Sequence, residues 1–204
     1  TEMLPADMPL LASALRALPA GILIILFCRQ LPQANWWGKL AILGSLNIGL
    51  FFYCLFATAY YLPGGLAALL MSFQPVLVIG LSALLLKHRL TWSNLCAAIL
   101  GILGIALLVL NSAVEVNIQG IIYGFIGSLS MATGVVLTKL WGRPTGLSLL
   151  NFTGWQLFFG GLLLMPTALY FEGLPAQLTT KNIFGYSYLC LVGAVFAYSI
   201  WFRG

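Results

Sequence analysis

The stretch Leu10–Cys28, LLASALRALPAGILIILFC, carries a single charged side chain, Arg16. A helix rises ~1.5 Å per residue, so about 20 residues cross the ~30 Å hydrocarbon layer of a bilayer. Six further stretches of the same kind follow: Gly38–Tyr60, Gly65–Leu86, Trp92–Leu110, Gln119–Trp141, Ser148–Phe171 and Ile183–Phe202. The chain is 61% hydrophobic with 6% charged residues, and its mean hydropathy is +1.03. No soluble domain has that balance. The sequence therefore predicts an all-α integral membrane protein, a polytopic bundle with seven visible transmembrane helices.

The gaps between the stretches give an orientation. Arg29 lies in the first gap and Lys39 at the start of the second stretch, Lys87 and Arg89 lie in the third gap, Lys139 and Arg143 close the fifth stretch, and Arg203 follows the last. The intervening gaps hold a single Lys or Arg, Lys181. Lys and Arg accumulate in cytoplasmic loops. The loops at 29–39, 87–91 and 139–147 are thus expected in the cytoplasm, with the N-terminus outside, in the multi-pass topology of a bacterial inner-membrane protein. The formal net charge of +5 is topological. It does not form the basic face that nucleic-acid binding needs, so the partners expected are the lipid bilayer and a small-molecule substrate, with a homodimer as a further candidate.

Cys28, Cys54, Cys96 and Cys190 lie within or at the edges of the stretches without the CxxC spacing of a metal or redox site. They read as small packing residues. The single His88, between Lys87 and Arg89, makes no metal site. No cofactor is expected.

Two pairs of segments resemble one another. Arg16–Leu23 can be laid on Gln156–Leu163, and Leu40–Ser45 on Leu189–Ala194. The charge pattern gives the two members of each pair opposite directions, which is the signature of an inverted repeat. The partners lie five stretches apart, so the repeating unit has five helices. A ten-helix protein follows, of which this chain shows the second to the eighth. Residues 1–112 would belong to the first repeat and 113–204 to the second. One helix before Leu10 and two after Gly204 are expected.

Three motifs follow one another along the chain: Gln74-Pro75 inside one stretch, then Leu86-Lys87-His88-Arg89-Leu90-Thr91-Trp92, then the run Leu100–Leu108. Their order resembles the EamA-like family of the drug/metabolite transporter superfamily. The resemblance covers essentially the whole chain and implies ten helices in two inverted five-helix repeats. Two positions depart from the family pattern. His88 stands where Glu is common, and Ala97 where Gly is expected.

Polar groups within a bilayer span are costly and normally face the bundle interior or a water-filled path. The candidate substrate-binding residues on that ground are Arg16, Asn47, Tyr53, Gln74, Trp155, Gln156, Tyr198 and Trp201. Asn47 and Gln74 lie near the middle of their stretches, where an amide needs a partner helix or a ligand. Pro75 frees a carbonyl on the preceding turn, which Gln74 could satisfy, or the two could together bind substrate. Arg16 could snorkel to the interface or hold a carboxylate in a bidentate grip. Trp155 and Gln156, on the inverted partner of the Arg16 stretch, would face the same cavity. Tyr53, Tyr198 and Trp201 are candidates for an aromatic wall. Trp36, Trp37, Trp92 and Trp141 read as interfacial anchors. Gly101-x-x-Gly104, Gly120-x-x-x-Gly124 and Gly160-Gly161 read as sites of close helix approach.

No catalytic set is present: no paired carboxylate inside a span, no His-x-x-x-His, no Gly-x-Ser-x-Gly. An enzyme is therefore not expected. A seven-helix receptor conflicts with the inverted repeat. The expected function is a secondary transporter that exports small metabolites, such as amino acids, by alternating access, with a channel or facilitator pore as the alternative.

Overall fold

A computed structural model describes residues 8–87, 91–111, 117–174, 179–197 and 200. Nine α-helices account for most of them, and no strand occurs among the described residues. They are α1 (Pro9–Cys28), α2 (Trp37–Gly44), α3 (Phe51–Tyr61), α4 (Gly64–Met71), α5 (Gln74–Leu85), α6 (Trp92–Asn111), α7 (Ile118–Trp141), α8 (Leu149–Phe171) and α9 (Thr180–Cys190). A 3-10 turn at Ala34–Trp36 leads into α2. Wide π-helical turns at Ser45–Leu50 and Leu191–Phe196 follow α2 and α9. Among the described residues, five helical runs are long and apolar enough to cross a membrane: Pro9–Cys28, Ala34–Tyr61, Gly64–Leu85, Ile118–Trp141 and Leu149–Phe171. Of the other two expected spans, Trp92–Leu110 falls on α6, and the described part of Ile183–Phe202 falls on α9 and its π turn, with residues 198, 199, 201 and 202 outside the described residues.

Not every expected span is one regular α-helix: Gly38–Tyr60 carries the π turn between α2 and α3. Gly65–Leu86 breaks at Ser72–Phe73 into α4 and α5, because Pro75 has no N–H to bond the carbonyl one turn back. At the break the Ser72 hydroxyl donates to the Leu69 carbonyl (2.7 Å), and the Ser128 hydroxyl of α7 lies 3.4 Å from the Leu70 carbonyl.

The helix ends follow local chemistry. Pro9 opens α1, where its missing N–H costs nothing. Asn117, Ser148 and Thr179 cap α7, α8 and α9 by accepting the N–H groups of Gln119, Asn151 and Asn182.

The distribution of polarity is reversed relative to a water-soluble protein. Leu26, Phe27 and Tyr170 lie open on the surface, while Ser13, Asn47, Thr58, Ser128, Ser130, Asn151 and Gln156 are buried. Short hydroxyls such as Ser13 and Thr58 donate to carbonyls of their own helix, Pro9 and Cys54, at 2.6 Å. Such an exterior is stable only in a hydrocarbon solvent.

The chain forms two compact units, Thr1–Gly49 with Arg143–Gly204, and Leu50–Gly142. In the first, α1 packs along α8, with α2 against α8 and α9 against α1. The contact face of α1 is a row of small residues, Ala14, Ala17, Ala20 and Gly21, all buried. In the second unit, α7 packs against α3, α4 and α5. Gly120, Gly124 and Gly127 of α7 face Leu62, Leu70 and Cys54 at distances that a larger side chain would occupy. The expected close approach at Gly120 and Gly124 is thus observed. Gly104 has nothing within 4 Å among the described residues. The four cysteines are free thiols; Cys54 and Cys190 are buried and Cys96 is exposed.

Candidate functional site

The most polar buried contact lies in the first unit. Asn47 occupies the π turn after α2, and Gln156 lies a third of the way along α8. The Asn47 Nδ2 donates to Gln156 Oε1 at 2.7 Å, with both residues less than a tenth exposed. The two helices come close enough because glycines face each other's backbone there. A Cβ on Gly44 would lie 2.7 Å from the Gln156 carbonyl oxygen, and one on Gly160 would lie 2.6 Å from that of Gly44. The other half of the Asn47 amide, Oδ1, is buried with no hydrogen-bond partner among the described residues. A buried, unfilled acceptor beside a π turn is a place where a ligand donor or a water gains a hydrogen bond at no cost to existing ones.

Arg16 is half-buried in α1. Its Nη2 lies 3.4 Å from the carbonyl of Gly193, in the π turn that follows α9. The guanidinium is thus directed at a helical segment with loosened backbone bonding, as Gln156 is directed at the π turn of Asn47.

Trp155 is tied into the connection after α1. Its Nε1 donates to the Gln30 carbonyl at 3.2 Å, which also accepts from Asn151 Nδ2 at 2.7 Å. The Gln30 side chain in turn accepts from Ser148 N at 2.8 Å. The Trp155 ring meets Trp37 edge-on at a centroid distance of 5.0 Å and also contacts Phe158 and Phe159. Trp36, expected as an interfacial anchor, is buried edge-on against Phe152, with Lys39 Nζ 4.6 Å above its ring.

Tyr53 and Gln74 belong to the second unit. Tyr53 packs edge-on against Tyr123 of α7 (5.7 Å between centroids), and the Tyr61 ring stacks on that of Tyr123 (5.9 Å, 5° between planes). Gln74 starts α5 directly after the break at Ser72–Phe73. Tyr198, Trp201 and His88 lie outside the described residues, as does the side chain of Ala97. Of the eight candidates, the structure joins Asn47 to Gln156 directly and places Trp155 beside that pair on α8.

Glu172 was not a sequence candidate. It ends α8, and its two carboxylate oxygens accept from Leu10 N and Leu11 N at 2.8 Å each. The first turn of a helix leaves its N–H groups unpaired and partially positive, and here a carboxylate from another helix fills two of them. The signal was present: Pro9 opening a helix at the same end as one of only four acidic residues. Glu172→Gln, which loses the charge and one acceptor, should speed amide hydrogen exchange at Leu10 and Leu11 several-fold, a loss of about 1 kcal/mol. Unchanged exchange in the peptide spanning them would contradict this role.

Helices with apolar exteriors, glycine-mediated contacts and a buried amide pair define a multi-pass, all-helical membrane protein. The chain belongs to the EamA-like transporter family, whose family model matches residues 3–110 and 118–204. It is a membrane transporter. It is similar to the protein PecM of Dickeya dadantii, 48% identical over 204 residues, which cover all of this chain and 68% of that protein. An uncharacterized transporter of Synechocystis, sll0355, is 31% identical over 95% of the chain and 65% of its own length. The chloroplastic WAT1-related protein At3g02690 of Arabidopsis thaliana is 25% identical over 98% of the chain and 52% of its own length. The chain thus spans between about half and two thirds of the length of these relatives.

Proposed function

We propose that the protein is a secondary carrier that exports small metabolites, amino acids or related compounds, across the bacterial inner membrane by alternating access. The loops and span ends that carry Arg29, Lys39, Lys139 and Arg143 face the cytoplasm, as the accumulation of Lys and Arg there favours. Two matches to one family model, on either side of residues 111–117, support the division into repeats 1–112 and 113–204.

The observation that carries the reading is the buried Asn47–Gln156 pair with its unfilled Oδ1 acceptor. A fully apolar contact would pack these helices equally well, and buried amides within a membrane are expensive. A substrate N–H or O–H reaching Asn47 Oδ1 would complete the network. Arg16, on the segment that the repeat lays over Gln156, supplies a cation to the same carrier. Gln74, Tyr53, Tyr198 and Trp201 are the further candidates for lining the path.

The full-length protein reconstituted in liposomes should exchange at least one radiolabelled amino acid or related metabolite in counterflow, without ion conductance in planar bilayers. Conductance with no counterflow of any compound would identify a channel.

A further inference from the structure

Laying Arg16–Leu23 on Gln156–Leu163 places Leu18 on Phe158 and Gly21 on Gly161. The structure makes these four positions touch reciprocally. A Cβ on Gly21 would lie 2.5 Å from Phe158 N and 2.9 Å from its Cα. A Cβ on Gly161 would lie 2.5 Å from Leu18 N and 2.6 Å from its Cα. Each glycine therefore sits on the repeat-mate of the residue that its own mate touches. Contacts of this i-to-j, j-to-i form are the mark of a local two-fold axis.

The relation extends outward. The second segment pairing lays Gly44 on Gly193, and the first lays Arg16 on Gln156. Gly44 lies against the Gln156 carbonyl, and the Gly193 carbonyl faces Arg16 Nη2.

The same two helices are fastened at both ends. At one end, Glu172 accepts from Leu10 N and Leu11 N. At the other, Gln30 binds Asn151, Trp155 and Ser148. At the crossing there is no clearance for sliding, since a shift of one residue, ~1.5 Å, drives side chains into backbone.

We propose that α1 and α8, one from each repeat, move as a single rigid body through the transport cycle, so that the two repeats do not rock against each other as separate blocks. The proposal rests on the carrier reading above. It places the moving contacts elsewhere than at this crossing.

Disulfides test it in the full-length protein with Cys28, Cys54, Cys96 and Cys190 replaced by Ala. Ile24→Cys with Gly154→Cys joins positions whose Cβ atoms are 3.1 Å apart, just under the ~3.5–4.5 Å of a disulfide. The two-fold makes Ala14→Cys with Leu164→Cys the equivalent pair. Each pair, made alone and together, should oxidise to similar yield. Failure of the second pair where the first forms would overturn the reciprocal geometry. The doubly cross-linked protein should keep at least half of the amino-acid counterflow of its reduced form. A tenfold loss restored by reduction would overturn the rigid body.

Absence of counterflow in the reduced protein would instead sink the carrier reading. Hydrogen exchange then decides the proposal separately. Cross-linking should leave the α2 and α9 amides unchanged, and a tenfold slowing would show that α1 and α8 normally move apart.

Discussion

Gly161→Val is expected to remove most of the folded protein from detergent extracts. The β-carbon alone would sit 2.5 Å from Leu18 N and 2.6 Å from Leu18 Cα, and neither helix can retreat. α1 is fixed by Glu172 at one end and by the Gln30 contacts at the other. Small-to-large changes in a packed core cost about 1–3 kcal/mol, and more where backbone blocks the new atoms. A cost above ~3 kcal/mol is a large share of the 5–15 kcal/mol that holds a typical domain together. Gly161→Ala should already lower the midpoint of thermal unfolding, and Gly21→Val should match Gly161→Val. Gly38→Ala is the control: it lies in α2 with nothing within 4 Å, so the better helix propensity of Ala should stabilise by up to ~1 kcal/mol. Size-exclusion profiles and thermal unfolding in detergent measure all four. A monodisperse, wild-type-like Gly161→Val protein would contradict the close crossing.

The second large effect is a non-additive one. Asn47→Leu alone leaves Gln156 Oε1 buried without its donor, and Gln156→Leu alone leaves Asn47 Nδ2 without its acceptor. Each should cost about 1–3 kcal/mol, the penalty for an unpaired buried polar group. The double change removes both amides and leaves only apolar groups, so it should recover most of that loss. Thermal unfolding of the four proteins reads the coupling directly. Additive losses would mean that the two side chains do not bond to each other.

Most of the architecture is legible in the sequence, because a membrane span writes itself as an uninterrupted apolar run. Leu10–Cys28, Gln119–Trp141 and Ser148–Phe171 each match a helix to within a residue at either end. The run Gly65–Leu86 hid a break, because hydropathy does not distinguish a straight helix from one interrupted at Ser72–Phe73. Pro75 was the available sign. The π turns at Ser45–Leu50 and Leu191–Phe196 left no sequence mark, since an inserted backbone residue changes hydrogen bonding and not composition.

For the site, polarity picked out Asn47 and Gln156, but their mutual bond depended on which faces of α2 and α8 meet. That is set by Gly44 and Gly160 acting together from different helices. Trp155 shows the opposite limit. An aromatic residue next to Gln156 looked free for substrate, whereas its N–H is engaged by a loop carbonyl more than a hundred positions away in the chain. Glu172 lay in a gap between spans, and its only sequence mark was Pro9 opening a helix at the same end.

The proteins of the double-variant cycle also separate packing from transport. If the amide pair only holds α2 to α8, the Asn47→Leu/Gln156→Leu protein should carry substrate as the wild type does once its stability is recovered. If the pair serves the substrate, the same folded protein should fail. The measurement is counterflow of labelled metabolite in liposomes holding equal amounts of folded wild-type and double-variant full-length protein. The account predicts a fall of at least tenfold; wild-type counterflow from the double variant would contradict it.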